Sequence, residues 1–372
     1  MGKWVYLLIL LATTSSWAIS NPYLLRSPRG LLMGDAFTAV NDDEFTLAYN
    51  PASLGRHRSD FTIYPFNPTV SATNVLSDLD RFKDFPSTPV GAADVLMNYP
   101  VHAGANIAPG FKLFNFGVTF LANEQIDAVL KNKTHPMLDL DLRQDKGVMV
   151  GVAIPLGTSR ISKKAFSGSQ TSLGIGAKYI KRTGVLDSYA LTGTTVLDAL
   201  GQNDVNDLMR SLGTVKGQAW GFDAGIEHME RSGNSQFVVG LAALDISDTT
   251  FKVESNPEKR KVADIKSQFN LGMSFGQDYK VFHYILSADV RALNQQQDFM
   301  QRVRLGAELG FRVFSLMAGM NSGYYSYGAT VNLGFIKVTA GFYDQEIGSS
   351  YKQTKSRQAL LYLSLFDFSF DA

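Results

Sequence analysis

The sequence predicts an all-β protein, a transmembrane barrel of about fourteen antiparallel strands, on three observations. Leu138 to Ile154 keeps a period-2 pattern, interrupted on its apolar face only at Gln144 and Lys146, far beyond an ordinary strand of about five or six residues. The same alternation recurs down the chain, with glycine gathered on the polar face. The connections between these runs also tend to alternate long and short, as they do in a barrel with long outer loops and short periplasmic turns. No stretch beyond the N-terminal leader is apolar for the roughly eighteen residues that a helical span requires. A membrane-embedded form of this chain must therefore use strands.

The first residues read as a secretion signal. Lys3 is the basic start, Trp4 to Ala12 the apolar run, and Ser16-Trp17-Ala18 a small-x-small cleavage site. That apolar run of nine residues is about half of a bilayer span, which sets the competing reading of a membrane anchor aside. With Cys 0, a lipoprotein anchor, disulfides and thiolate metal sites are all excluded. The net charge of +1, with no dense Lys/Arg block, gives no reason to expect a nucleic-acid partner.

In the deciding stretch the even positions run Leu138, Leu140, Leu142, then Val148, Val150, Val152 and Ile154, while the odd positions include Asp139, Asp141, Arg143 and Asp145. Further runs set Trp220, Phe222 and Ile226 against Asp223 and Glu227, and Val303, Leu305 and Leu309 against Arg302, Arg304 and Glu308. A soluble sandwich also alternates. Here glycine crowds the polar face and aromatics gather near strand ends, so the apolar face is assigned to lipid and the polar face to a lumen. The lumen set is Asp223, Glu227, Arg302, Arg304 and Glu308.

The expected strands lie near 60–66, 101–108, 115–123, 137–154, 172–182, 217–228, 236–246, 266–276, 281–291, 300–310, 313–320, 324–333, 335–343 and 357–369. Long connections fall at 67–100, 124–136, 183–216, 247–265, 292–299 and 344–356. Two connections break the rule: 155–171 is long for a periplasmic turn, and Asn321-Ser322-Gly323 is short for an outer loop. Two outer loops, 75–98 and 194–212, carry helical spacing. Their apolar residues Leu79, Phe82, Leu96, Leu197, Leu200, Leu208 and Met209 read either as a lid on the mouth or as a landing site for a hydrophobic ligand.

Residues 29–56, "RGLLMGDAFTAVNDDEFTLAYNPASLGR", have the small residues and Asn-Pro turn of a compact piece but too few apolar residues for a core of their own. This stretch resembles the N-terminal signature of the FadL superfamily of outer-membrane barrels, through Gly34-Asp35-Ala36, Ala39-Val40, Asp42-Asp43 and Asn50-Pro51-Ala52. The segment "LMAGMNSGYYSYGATVNLGF" and the strand count are similar to the same superfamily, nearer its PorV/TraF-like branch than the fatty-acid transporters. The resemblance implies a fourteen-stranded barrel whose N-terminal segment folds inward as a hatch. It divides the chain into a signal peptide (1–18), a hatch (19–58) and a barrel (59–372). Arg26, Arg29, Asp35, Asp43 and Arg56 are then placed to pair with the lumen charges. Such barrels commonly end on an aromatic residue, whereas Phe370 is followed here by Asp371-Ala372. The transporters' ligand residues are not identifiable in this sequence.

No reaction chemistry is expected. The histidines (His57, His102, His135, His228, His283) show no metal-ligand spacing, no nucleophile elbow occurs, and no cofactor is implied. His283 and Asp289 share a face but lie six residues apart, roughly 20 Å along a strand. The expected role is non-enzymatic passage of small hydrophobic or amphipathic molecules across the bacterial outer membrane. The alternatives are a scaffold for protein partners of a secretion system, or a porin-like, self-associating structural protein.

Overall fold

The computed structural model describes residues 23–56, 60–84, 89–156, 167–190, 213–254 and 262–371. The expected signal peptide and the second expected helical loop, with Leu197, Leu200, Leu208 and Met209, lie outside the described residues.

Fourteen antiparallel strands close into a ring. They are β1 (Asp60–Tyr64 and Pro68–Thr73), β2 (Val101–Ile107 and Gly110–Leu113), β3 (Phe116–Lys131), β4 (Met137–Leu156), β5 (Ser167–Ala190), β6 (Val215–Ser232) and β7 (Ser235–Leu244). The ring continues with β8 (Gln268–Asp278), β9 (Phe282–Val290), β10 (Val303–Phe311), β11 (Phe314–Asn321), β12 (Tyr324–Asn332), β13 (Ile336–Glu346) and β14 (Lys355–Leu365 and Phe368–Asp371). Each strand pairs with the next in sequence, and β14 returns to β1 through Leu361↔Val70 and Phe370↔Phe61. Closure gives every strand of the ring a partner on both sides, the condition for strands to survive in hydrocarbon.

The alternation sorts the faces as the patterning requires. Phe120, Ile154, Ile175, Trp220, Phe222, Met273, Leu286 and Leu316 are exposed on the outside of the ring. Asp145, Lys178, Arg182, Asp223, Glu227, Arg304 and Glu308 are buried inside it. A chain with exposed apolar and buried charged residues is built for a surrounding solvent of lipid. At the short-turn end a run of rings girdles one side, with centroids 4.8 Å apart for Tyr279–Phe282, 6.5 Å for Phe282–Phe311 and 4.6 Å for Phe311–Phe314.

Several boundaries differ from the sequence expectation. Residues 124–131 and 183–190, expected as loops, are strand. β4 and β5 stay paired from Leu156↔Thr171 to Met137↔Ala190, so β3 to β6 rise well above the roughly ten residues needed to cross lipid. Ion pairs on the inner face carry this extension, notably Arg182 to Asp145 (2.6 Å) and Lys131 to Asp139 (2.7 Å). The anomalous short connection is a two-residue hairpin, Ser322-Gly323, with φ of 51° and 81°, the positive pair that a tight twisted hairpin demands.

Residues 109–114, which separate two of the expected strands, are mostly strand as well. Strands β14, β1 and β2 are each broken at one level, at Phe366-Asp367, Pro65–Asn67 and Ala108-Pro109, and each resumes beyond the break. Pro65, Pro68 and Pro109 have no N–H for a ladder, which explains why periodicity lapses there. Asn67 seals the gap by imitating a backbone: its Nδ2 donates to Ala108 O (2.8 Å), and its Oδ1 accepts from Ala108 N (2.9 Å).

Candidate functional site

The lumen is filled by the chain's own N-terminal segment. Residues 23–56 form a plug with two short helices, α1 (Pro28–Leu32) and α2 (Thr46–Tyr49), followed by a 3-10 turn (Pro51–Arg56). Helix α1 starts on Ser27, whose Oγ accepts from Gly30 N (3.1 Å), with Pro28 in the first turn where its missing N–H costs nothing. Leu32, Met33, Phe37, Phe45, Tyr49 and Leu54 are fully buried between plug and wall. Each such burial stabilises the seated plug by about 1.5–3 kcal/mol. A segment too poor in apolar residues for its own core thus completes one with the barrel.

The signature residues press on two separated parts of the wall. Gly34, at φ +66°, lies against the backbone of Leu305 in β10 and Met320 in β11, where any Cβ would overlap. Asp35 is buried, accepting from Tyr49 Oη (2.7 Å) and from Arg291, and Ala36 is buried beside it. Asn50 Oδ1 accepts from Ala52 N (3.0 Å), closing a turn through Pro51, and Ala52 packs on Gly174 of β5. Wall glycines make room for the plug all round: Gly117 and Gly151 face Leu47 and Leu54, Gly306 faces Met33, and Gly328 and Gly341 face Leu32. The crowding of glycine on the polar face is therefore space reserved for the plug.

Polar side chains latch the plug to the wall. Arg56 binds Glu227 through Nε (2.6 Å) and Nη2 (2.6 Å), and Ser53 Oγ donates to the same carboxylate (2.5 Å). Arg29 bridges Glu308 of the wall and Asp42 of the plug, at 2.5 Å each. Asp289 Oδ2 accepts from the amides of Phe37 (2.9 Å) and Thr38 (2.8 Å). Burial lowers Arg56, but Glu227 more than offsets it and holds the guanidinium above its ordinary value. Burial raises Asp42, yet Arg29 and then Arg56 outweigh it and bring it down to about 2. Burial, with the negative charges of Glu44 and Asp42, pushes Asp43 up to about 6 despite its bond from Ser27.

Below the plug, at the short-turn end, lie two cavities of about 420 and 290 Å³ that share Arg29, Asp42 and His283. A third, of about 50 Å³, lies between residues 23–26 and the inner face of β1 to β3. On that wall Ser71, His102 and Asp127, from three adjacent strands, form a chain. His102 Nε2 lies 2.8 Å from Ser71 Oγ, and Nδ1 lies 2.7 Å from Asp127 Oδ1. No single-strand spacing could reveal it, because its members are 31 and 25 residues apart.

Of the expected lumen set, Asp223, Glu227, Arg304 and Glu308 are buried inside the ring. Glu227 and Glu308 meet the plug, and so does Arg304, which bonds Tyr23 and also donates to Ser322 Oγ (2.9 Å), whereas Asp223 pairs with Lys178 (2.9 Å). Arg302 is different. It ends a short helix (Phe299–Arg302) before β10 and donates to the carbonyls of Gln295 (2.7 Å) and Gln297 (2.8 Å). The polar alternation ran one step past the end of the strand. Arg291, the partner of Asp35, was not among the expected residues.

In the first outer loop, Leu79 and Phe82 sit on one short helix (Leu79–Phe82) and Leu96 on another (Pro89–Leu96). Phe82 stacks edge-on against Tyr99 at 5.1 Å, and Arg81 ties the two helices by donating to Val95 O (2.7 Å) and Met97 O (2.7 Å). Leu79 is exposed, Leu96 is half-buried, and none of the three residues lines the cavities described above.

No protein-family model matches the chain, and no curated protein matches it. Among solved structures it is similar to the Pseudomonas putida toluene transporter TodX, at TM-score 0.46 and 9% identity over 91% of this chain and 98% of that one. It is similar to the Ralstonia pickettii toluene transporter TbuX, at TM-score 0.42 and 10% identity over 92% and 98%. It is also similar to the translocator domain of the autotransporter NalP from Neisseria meningitidis, at TM-score 0.37 and 11% identity over 83% and 89%.

Proposed function

We propose that this barrel is an outer-membrane conduit for small hydrophobic or amphipathic molecules, gated by the 23–56 plug acting as a hatch. The carrying observation is how the plug is held. It adds no strand to the ring, and side-chain latches such as Arg56–Glu227 and Arg29–Glu308 fasten it. A segment held this way can leave its seat without any wall strand unpairing. The sequence resemblance to the FadL superfamily supports the same reading, and TodX and TbuX are toluene transporters.

The chain has no cysteine, so the hatch can be locked cleanly. Arg56→Cys and Glu227→Cys, joined by a reducible bis-methanethiosulfonate, pin the plug to β6. In intact cells carrying the protein in the outer membrane, entry of the apolar dye N-phenylnaphthylamine falls to the level of cells lacking it. Reduction restores entry. Unchanged entry with the plug pinned rules the hatch out.

A second reading, a scaffold for protein partners, draws on the tall β3–β6 wall that stands above the rest of the ring. Crosslinking that repeatedly recovers the barrel alone argues against it.

A further inference from the structure

The third cavity has two polar atoms that nothing satisfies. Thr69 Oγ1 and Asn106 Oδ1 are buried without a hydrogen-bond partner, and both residues line the cavity. They are directly opposite across the β1–β2 ladder. The neighbouring wall groups are already engaged: Ser71 with His102, His102 with Asp127, and Asp127 with Gln125. Leu24, Leu25, Leu31 and Leu360 give the cavity an apolar surface, beside Tyr23, Arg26 and Tyr343. Thr69 itself is 4% exposed. A buried orphan acceptor is costly until something donates to it.

We propose that Thr69 and Asn106 form a subsite for the hydroxyl of a small neutral amphiphile, such as a phenol, with its apolar body against the leucines. This rests on the conduit reading and names the solute class within it. A hydroxyl fits both atoms: it donates to Asn106 Oδ1 while exchanging a hydrogen bond with the Thr69 hydroxyl. A carboxylate has no proton for Asn106 Oδ1. A cation is disfavoured by Arg26, which lines the same cavity. A pure hydrocarbon leaves both atoms unpaired, and a site built around a hydroxyl discriminates against the analogue without one.

Phenol and toluene, nearly equal in shape, are the probes. Calorimetric titration of the full chain in detergent gives phenol the tighter binding by about tenfold or more. Thr69→Val and Asn106→Leu bring the two solutes to near parity without weakening toluene, while Thr69→Ser keeps the preference. Equal binding in the parent chain overturns the subsite and leaves the conduit standing. So does a preference that survives both variants. If neither solute binds, the subsite and the conduit fail together. Heat-modifiable gel mobility verifies that each variant is a folded barrel.

Discussion

Arg56 of the plug and Glu227 of β6 form a two-pronged ion pair with both side chains nearly buried, 11% and 2% exposed. The contact joins the segment that fills the lumen to the wall that surrounds it. Losing one partner strands the other charge in a dry setting, at a cost of about 3–5 kcal/mol. Arg56→Ala is therefore expected to release the plug without unfolding the ring. Protease digestion in detergent measures this: the 23–56 region becomes cleavable while the barrel core stays intact.

The acidic turn of the plug makes seating depend on pH. Asp43 is raised from 3.8 to about 6 in the seated plug, so the seated form holds its proton more tightly than the free form. Seating strengthens as pH falls from about 6 towards 4, and weakens as pH rises through 6. Asp42 acts oppositely, because it is lowered from 3.8 to about 2, and its contribution disappears as pH falls through that lower range. Protection of the plug from protease is thus greater at pH 5 than at pH 7, and Asp43→Asn reduces the difference. Protection that increases between pH 5 and 7 contradicts this assignment.

Gly34 is one of the close approaches of plug to wall. Alanine there meets both a left-handed backbone conformation and the backbone atoms of Leu305 and Met320. Gly34→Ala is expected to unseat the plug and raise ionic conductance in planar bilayers above that of the parent chain. A parent and variant that conduct equally mean the plug does not occlude the lumen.

The fold was legible because lipid on one side and a packed lumen on the other impose a period-2 pattern, as in Leu138 to Leu142 and Val148 to Ile154. Glycine on the inner face carried a second message, fulfilled by Met33 against Gly306 and Ala52 against Gly174. What escaped the sequence was everything set by pairing across strands. Asp35 finds Arg291 and not an expected partner, and Ser71, His102 and Asp127 converge from three strands. Strand ends escaped too, since a charged residue such as Lys131, in an expected loop, pairs with Asp139 within a raised sheet.

The break across β14, β1 and β2 depends on one amide. Asn67→Ala leaves the N–H and C=O of Ala108 without partners, at about 1–3 kcal/mol for each group. The thermal midpoint falls, and amide exchange at Ala108 accelerates more than at Gly104 in the same strand. Equal acceleration at both sites shows that the seam is not held by Asn67.

A chain beginning after residue 18 contains a single tryptophan, Trp220, which is 63% exposed on the outer face of β6. It reports directly on what surrounds the ring. In proteoliposomes, lipids brominated along their acyl chains are expected to quench its fluorescence strongly, and aqueous acrylamide hardly at all. Strong quenching by acrylamide with none from brominated lipid places that face in water, and the membrane barrel with its hatch is then wrong.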